Sequence, residues 1–182
     1  MNFISRRLLR PLGLEIRKKG AMEHRQPIEL KTDATSKGTA LLAYVIDPFL
    51  LAKDESPSRA HTHHVESLLM AQVFLDLGYD VDIIDYRNKG FRPKKEYRLF
   101  LSARTYFANL ADRLNDDCVC IAHLDTAHFL FNNSAAFARL QALKERRAIA
   151  TASMKLIESN WAPERADALT VLGNAFTLGT YA

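Results

Sequence analysis

Five of the six histidines fall into two short groups, His61, His63 and His64 in one and His123 and His128 in the other. Carboxylates accompany both: Glu66 follows the first group, and Asp125 lies inside the second. Imidazole is the side chain whose charge changes nearest neutral pH, and a neighbouring carboxylate can fix its tautomer. Residues 123 and 125 project to one side if an extended strand carries both, so Asp125 could orient His123 as a base or as a hydrogen-bond donor. Three uses of these residues stay open. They could line a polar-ligand site with one general base. They could hold zinc, manganese or iron through His61, His63, His123, Asp125 or His128. Or they could satisfy turns, with Thr62, Thr126 or Asp125 capping helices. The spacings match no hydrolase signature, so no bound metal is expected.

The elements that must position these residues are legible from apolar pattern. Residues 118–122 form a continuous apolar run after Asp116 and Asp117, as expected of a central strand buried on both faces of a parallel sheet. His123, Asp125 and His128 then fall beyond its carboxyl end, where open α/β sheets bind ligands. A first strand is expected over 40–46, ending at Asp47-Pro48. The spacing predicts a helix over 62–77, with Val65, Leu68, Leu69, Gln72 and Leu75 as its inner stripe and Gly78 as its C-terminal cap. A strand over 79–86 follows, closed by Asp85. Strand, helix and strand together imply a right-handed crossover and a parallel sheet.

Further along, strands are expected at 97–101, 148–154 and 168–172, and helices at 105–114 and 135–147. Phe137, Leu140 and Leu143 should be the inward face of the last of these. Pro163 opens a helical turn, and Gly173-Asn174 a final element. The expected class is α/β, a doubly wound, mostly parallel Rossmann-like sheet with helices on both faces, preceded by a basic N-terminal tail. Both histidine groups, with Asp85 and Asp47 at the ends of their strands, then face one crevice.

The net charge of +4 is unevenly spread. Residues 1–31 hold eight Lys/Arg against three Glu, a net +5, and residues 32–182 hold seventeen against eighteen, a net −1. The basic footprint that nucleic acid requires is missing from the body of the chain, and no nucleic-acid partner is expected. Residues 1–19 alternate Phe3, Ile4, Leu8, Leu9 and Leu12 with six cations, a pattern suited to an anionic membrane surface. Residues 23–38 read as a linker, giving a tail and linker over 1–36 and one domain over 37–182. Cys118 and Cys120 are expected as buried thiols, because neighbours on one strand face have poor disulfide geometry. That suits a reducing, cytoplasmic setting.

Several chemistries are excluded. The first strand–helix loop has no Gly-x-Gly-x-x-Gly, so a nicotinamide cofactor is not expected. No Walker loop and no Gly-x-Ser-x-Gly elbow occurs either. No cofactor is therefore assigned.

From residue 39 onward the chain resembles the N-terminal half of a GT-B glycosyltransferase of the glycogen-synthase-like "group 1" type. The resemblance rests on the opening strand Ala40 to Asp47, the helix carrying His63 and Glu66, and the turn Leu77-Gly78-Tyr79-Asp80-Val81-Asp82. It rests also on His123-Leu124-Asp125-Thr126-Ala127-His128 and on Ala166-Asp167-Ala168-Leu169-Thr170-Val171-Leu172-Gly173-Asn174. The opening Leu8-Leu9-Arg10-Pro11-Leu12-Gly13-Leu14-Glu15-Ile16-Arg17 is similar to the start of some FkbM-type methyltransferases, over a much shorter stretch.

The glycosyltransferase resemblance implies transfer of a sugar from a nucleotide-sugar donor to a sugar or lipid-linked acceptor in cell-envelope or polysaccharide synthesis. This chain would supply the acceptor side, and a second domain, missing here, would hold the donor. The resemblance also implies that no metal is needed. His123 and Asp125 would be catalytic, with His61, His63, Glu66, Asp85, His128 and Asn174 binding substrate. The enzyme would be cytoplasmic, peripheral on the inner face of the membrane through residues 1–19. A sugar- or protein-binding module without catalysis is the first alternative, and a metal-dependent hydrolase the second.

Overall fold

The computed structural model describes residues 26–51, 62–152 and 155–182. His61 and the basic segment 1–19 lie outside these residues. Six strands form one sheet: β1 (Ile28–Leu30), β2 (Thr39–Tyr44), β3 (Asp80–Asp85), β4 (Leu99–Ala103), β5 (Val119–Leu124) and β6 (Ala168–Val171). Their order across the sheet is β1-β3-β2-β4-β5-β6, with β1 antiparallel to β3 and every other pair parallel. Between them run α1 (Thr62–Asp76), α2 (Phe107–Ala111), α3 (Phe129–Arg147), α4 (Ala162–Arg165) and α5 (Ala175–Gly179). Among the described residues no helix is long and apolar enough to cross a membrane.

The chain enters the parallel part of the sheet at β2, moves to one side for β3, then returns to the other side for β4. The β2–β4 junction is thus the switch point of the topology, the place where such sheets open a crevice at their carboxyl ends. The alternating residues of the strands build two apolar clusters. Leu42, Tyr44, Val81, Ile83 and Leu101 pack with Ala71 and Phe74 of α1. Leu41, Ile84, Phe100, Cys118, Cys120 and Leu124 pack with Phe107 and Leu110 of α2 and Ala162 of α4. Cys118 and Cys120 are buried free thiols, as their spacing predicts.

Several elements differ from the sequence expectation. The segment read as a linker contributes β1, whose end is pinned where Thr32 N donates to Asp80 Oδ1 at 3.1 Å and Thr32 Oγ1 to Leu75 O at 3.1 Å. Helix α1 lies where expected and ends as expected, in a Schellman cap. Tyr79 N donates to Phe74 O at 3.0 Å and Gly78 N to Leu75 O at 2.9 Å, with Gly78 at φ 87°. Its buried stripe is however Ser67, Ala71 and Phe74, while Val65 and Leu69 are exposed. Small residues let the helix approach the sheet closely enough for Ser67 Oγ to donate to Val45 O at 2.7 Å.

Strand β5 is not central. It lies next to the β6 edge, its first residue Val119 is exposed, and the strands with five of six residues buried are β2 and β3. Strand β4 starts two residues later than expected, because Tyr97 is held off the ladder by Asn115 Oδ1, which accepts from its N–H at 2.8 Å. Helix α2 is shorter than expected since Tyr106, at φ 62°, cannot be helical. Helix α3 begins six residues early, at Phe129, and Phe137 is exposed, with Ala136 the buried residue. No strand exists over 148–152: Ala148, at φ 53°, ends α3, and the free side of β5 is already taken by β6.

Candidate functional site

The carboxyl edge of the sheet carries one row of side chains across its strands. His123 pairs in register with Ala103 of β4 on one side and with Thr170 of β6 on the other. Tyr44 ends β2, one residue beyond the Ala43–Ser102 pair, which sets it in the same row. Tyr44 and His123 stand two strands apart, about 10 Å at ordinary strand spacing. Yet their rings meet edge to face with centroids 5.7 Å apart. The intervening residue, Ala103, is small enough for the two rings to lean together above it.

Helix α1 closes over this row. Its first turn brings His63 and, three residues on, Glu66 to the Tyr44 hydroxyl, so the three share a hydrogen-bonded triangle. Tyr44 Oη donates to Glu66 Oε2 at 2.8 Å, His63 Nδ1 lies 2.9 Å from Glu66 Oε2, and Tyr44 Oη lies 2.8 Å from His63 Nδ1. Burial pushes the Glu66 carboxyl up, but the hydrogen bonds from His63 and Tyr44 outweigh it and hold the group below its ordinary value. Burial, and then the Glu66 carboxylate, push the Tyr44 hydroxyl far above its usual range. Tyr44 is therefore a fixed donor.

His123 is 4% exposed, and burial draws its pKa below 6.5, so its imidazole is neutral at neutral pH. Its Nδ1 lies 2.8 Å from Thr170 Oγ1, while Nε2 is buried with no hydrogen-bond partner among the described residues. A buried polar atom left unsatisfied is costly and rare in folded proteins. If Nδ1–H donates to Thr170, Nε2 presents a lone pair; if the hydroxyl donates to Nδ1, Nε2–H is a donor. A ligand hydroxyl, which can donate and accept, fits either form.

The other expected residues have different employment. Asp125 pairs with Arg104, not with His123, because β5 ends at Leu124 and the strand alternation does not extend to Asp125. Nor does Asp125 cap α3: that cap is His128, whose Nδ1 accepts from Leu130 N at 3.3 Å. The His128 ring packs on Tyr181 at 5.3 Å, and the backbone N–H of His128 donates to Thr180 Oγ1 at 2.9 Å. Asp85 is buried and gripped by Arg87, with Nε at 2.7 Å and Nη2 at 2.9 Å. Asn174 caps α5, its Oδ1 accepting from Phe176 N at 3.0 Å and Thr177 N at 3.3 Å.

The structure thus gathers His63, Glu66 and His123, and sends Asp85, Asp125, His128 and Asn174 to structural pairings. Sequence reasoning missed Tyr44, Thr170 and Arg104. Tyr44 carried a signal, since it is a polar-tipped residue at the carboxyl end of the most apolar strand. Among the described residues, no group of three or more His, Cys, Asp or Glu could hold a metal ion.

Comparison of the chain with protein-family models, with curated proteins and with solved structures returns no match.

Proposed function

We propose that this chain is the acceptor-side domain of a GT-B glycosyltransferase, using the His123 row to hold the sugar hydroxyl that receives the transferred sugar. The observation that carries the reading is the orphaned Nε2 of His123, buried on β5 one strand beyond the switch point, its ring against Tyr44 of a fixed hydroxyl–imidazole–carboxylate triangle. The strand order and the two apolar clusters support a doubly wound, Rossmann-like sheet with helices on both faces. The Ala166-Asp167 motif of the resemblance has a physical role: Asp167 Oδ2 accepts from Cys120 N at 2.7 Å, which docks β6, and with it Thr170, onto β5.

In this reading the acceptor hydroxyl donates to Nε2 while Nδ1–H donates to Thr170. As the acceptor oxygen bonds to C1 of the donor sugar, the C1–O bond to phosphate breaks, the nucleoside diphosphate leaves, and Nε2 takes the hydroxyl proton. The nucleotide sugar is held by a second domain. Residues 1–19 rest on the anionic cytoplasmic face of a membrane; deleting them should abolish binding to phosphatidylserine vesicles, and undiminished binding would remove that part of the reading.

The test of the site is a titration of 15N-labelled protein with neutral oligosaccharides, followed by amide shifts. Saturable shifts should centre on residues 44, 63, 123 and 170. A protein unaffected by every saccharide, or perturbed only elsewhere, contradicts the assignment.

A further inference from the structure

A groove of about 540 Å³ lies among the loops after β3 and β4 and the segment 156–161. The segment is pinned by an amide acting as a surrogate strand: Asn133 Nδ2 donates to Ile157 O at 2.9 Å and Asn133 Oδ1 accepts from Ile157 N at 2.9 Å. Four aromatic residues line the groove, Tyr86, Tyr106, Trp161 and the buried Phe107. Trp161 is 66% exposed, a large apolar face left open to solvent at a cavity wall. Tyr106 is held at φ 62° with Lys89 Nζ 4.1 Å from its ring centroid, a strained backbone for a bulky residue that keeps its ring at the groove.

The two arginines of the groove each pair with a carboxylate, and Glu158 also lines it. Arg87 is paired with Asp85 and Arg104 with Asp125, which neutralises the positive charge a phosphate would need. Beside them lies aromatic surface with amide and hydroxyl groups, Asn109, Ser159 and Asn160, and the Glu158 carboxylate, all of which can hydrogen-bond a hydroxyl. The smaller cavity of about 310 Å³ beside Asp82 differs, since its buried carboxylate is satisfied by Lys95 Nζ at 2.9 Å and Tyr97 Oη at 2.7 Å.

The geometry points to this groove as a second saccharide subsite, in which a neutral sugar ring lays its C–H face on Trp161 and hydrogen-bonds through its hydroxyls to the amides. The inference rests on the proposed acceptor role and sharpens it: the acceptor is an oligosaccharide, spanning the His123 row and this groove. Arg104 joins the two places, lining the groove while its pairing with Asp125 sets the chain just past His123. An aromatic platform with a few oriented polar groups is the ordinary make-up of such a cleft.

Trp161 is the sole tryptophan, so intrinsic fluorescence of the full chain reports directly on the groove. Cellotetraose, maltotetraose and chitotetraose are titrated into the wild type and into Trp161→Phe, Trp161→Ala and Tyr106→Gly, with amide shifts recorded in parallel. At least one oligosaccharide should change the emission saturably. Its affinity should fall roughly tenfold in Trp161→Ala and recover in part in Trp161→Phe. Glycine tolerates the backbone of residue 106, so Tyr106→Gly should stay folded and still bind more weakly. Amide shifts at residues 123 and 170 without any change in emission would overturn the second subsite and leave the acceptor reading standing. No response in either place would defeat both. An emission response to uridine monophosphate and to no saccharide would make the groove a nucleotide site, and the inference would fail.

Discussion

Thr170 Oγ1 of the edge strand β6 lies 2.8 Å from Nδ1 of His123, its partner in register on β5. Edge and neighbour thereby fix one ring nitrogen of a buried imidazole, and the opposite nitrogen is left for a ligand. Thr170→Val should keep the β5–β6 pairing and lose about 1 kcal/mol of stability, the worth of one hydrogen bond. It should also let the His123 ring exchange tautomers. Imidazole 15N shifts of the variant check this, and an unchanged tautomer ratio would show that Thr170 does not orient the ring.

The triangle of Tyr44, His63 and Glu66 should behave as a unit. Tyr44→Phe is expected to destabilise by about 1–2 kcal/mol, because the hydroxyl donates to a carboxylate. Adding Glu66→Gln to it should cost much less than the two single changes predict, and chemical denaturation of the four proteins measures the coupling. Strictly additive losses would mean that the three groups are neighbours without shared energetics.

Stability should depend on pH through His123. Its folded pKa lies below 6.5, so the unfolded chain binds this proton more readily than the folded one. Stability is thus complete above about pH 6.5 and falls as pH drops from there towards the lower folded value. Glu66, also lowered, adds a second loss below its ordinary 4.5. Melting temperatures from pH 7.5 to 5 should decline in the wild type and decline less in His123→Phe. Equal slopes in the two proteins would place the titrating group elsewhere.

Much of the parallel sheet was legible because its strands are dense apolar runs ending in turn residues, as in 40–46 and 79–86. The site was only half legible. His63, Glu66 and His123 stood out by residue type and by their place after strands or at a helix start. Asp125 was misread because alternation along a strand holds only while the strand lasts, and β5 stops at Leu124. Thr170 gave no local signal: its meaning comes from register with a residue 47 positions away. The α1 stripe misled for a related reason, since small residues such as Ser67 and Ala71 pack closest to a sheet without looking hydrophobic in sequence.

Gly78 deserves its place in the α1 cap by conformation. At φ 87° an added Cβ is strained, and it would sit 3.4 Å from Lys37 Cε. Gly78→Ala should lower stability by about 1 kcal/mol, chiefly from the backbone, since the lysine end can move aside. A neutral substitution in thermal denaturation would show that the cap relaxes to another conformation.

The unpartnered Nε2 of His123 is the centre of the proposed site, and imidazole 15N spectroscopy of the full chain observes it directly. Spectra are recorded at pH 7.5 with and without a saturating neutral oligosaccharide. The account predicts a neutral ring in both, and a displacement of the Nε2 resonance on addition that exceeds any change at Nδ1. An Nε2 resonance that stays in place while the saccharide is bound would contradict it.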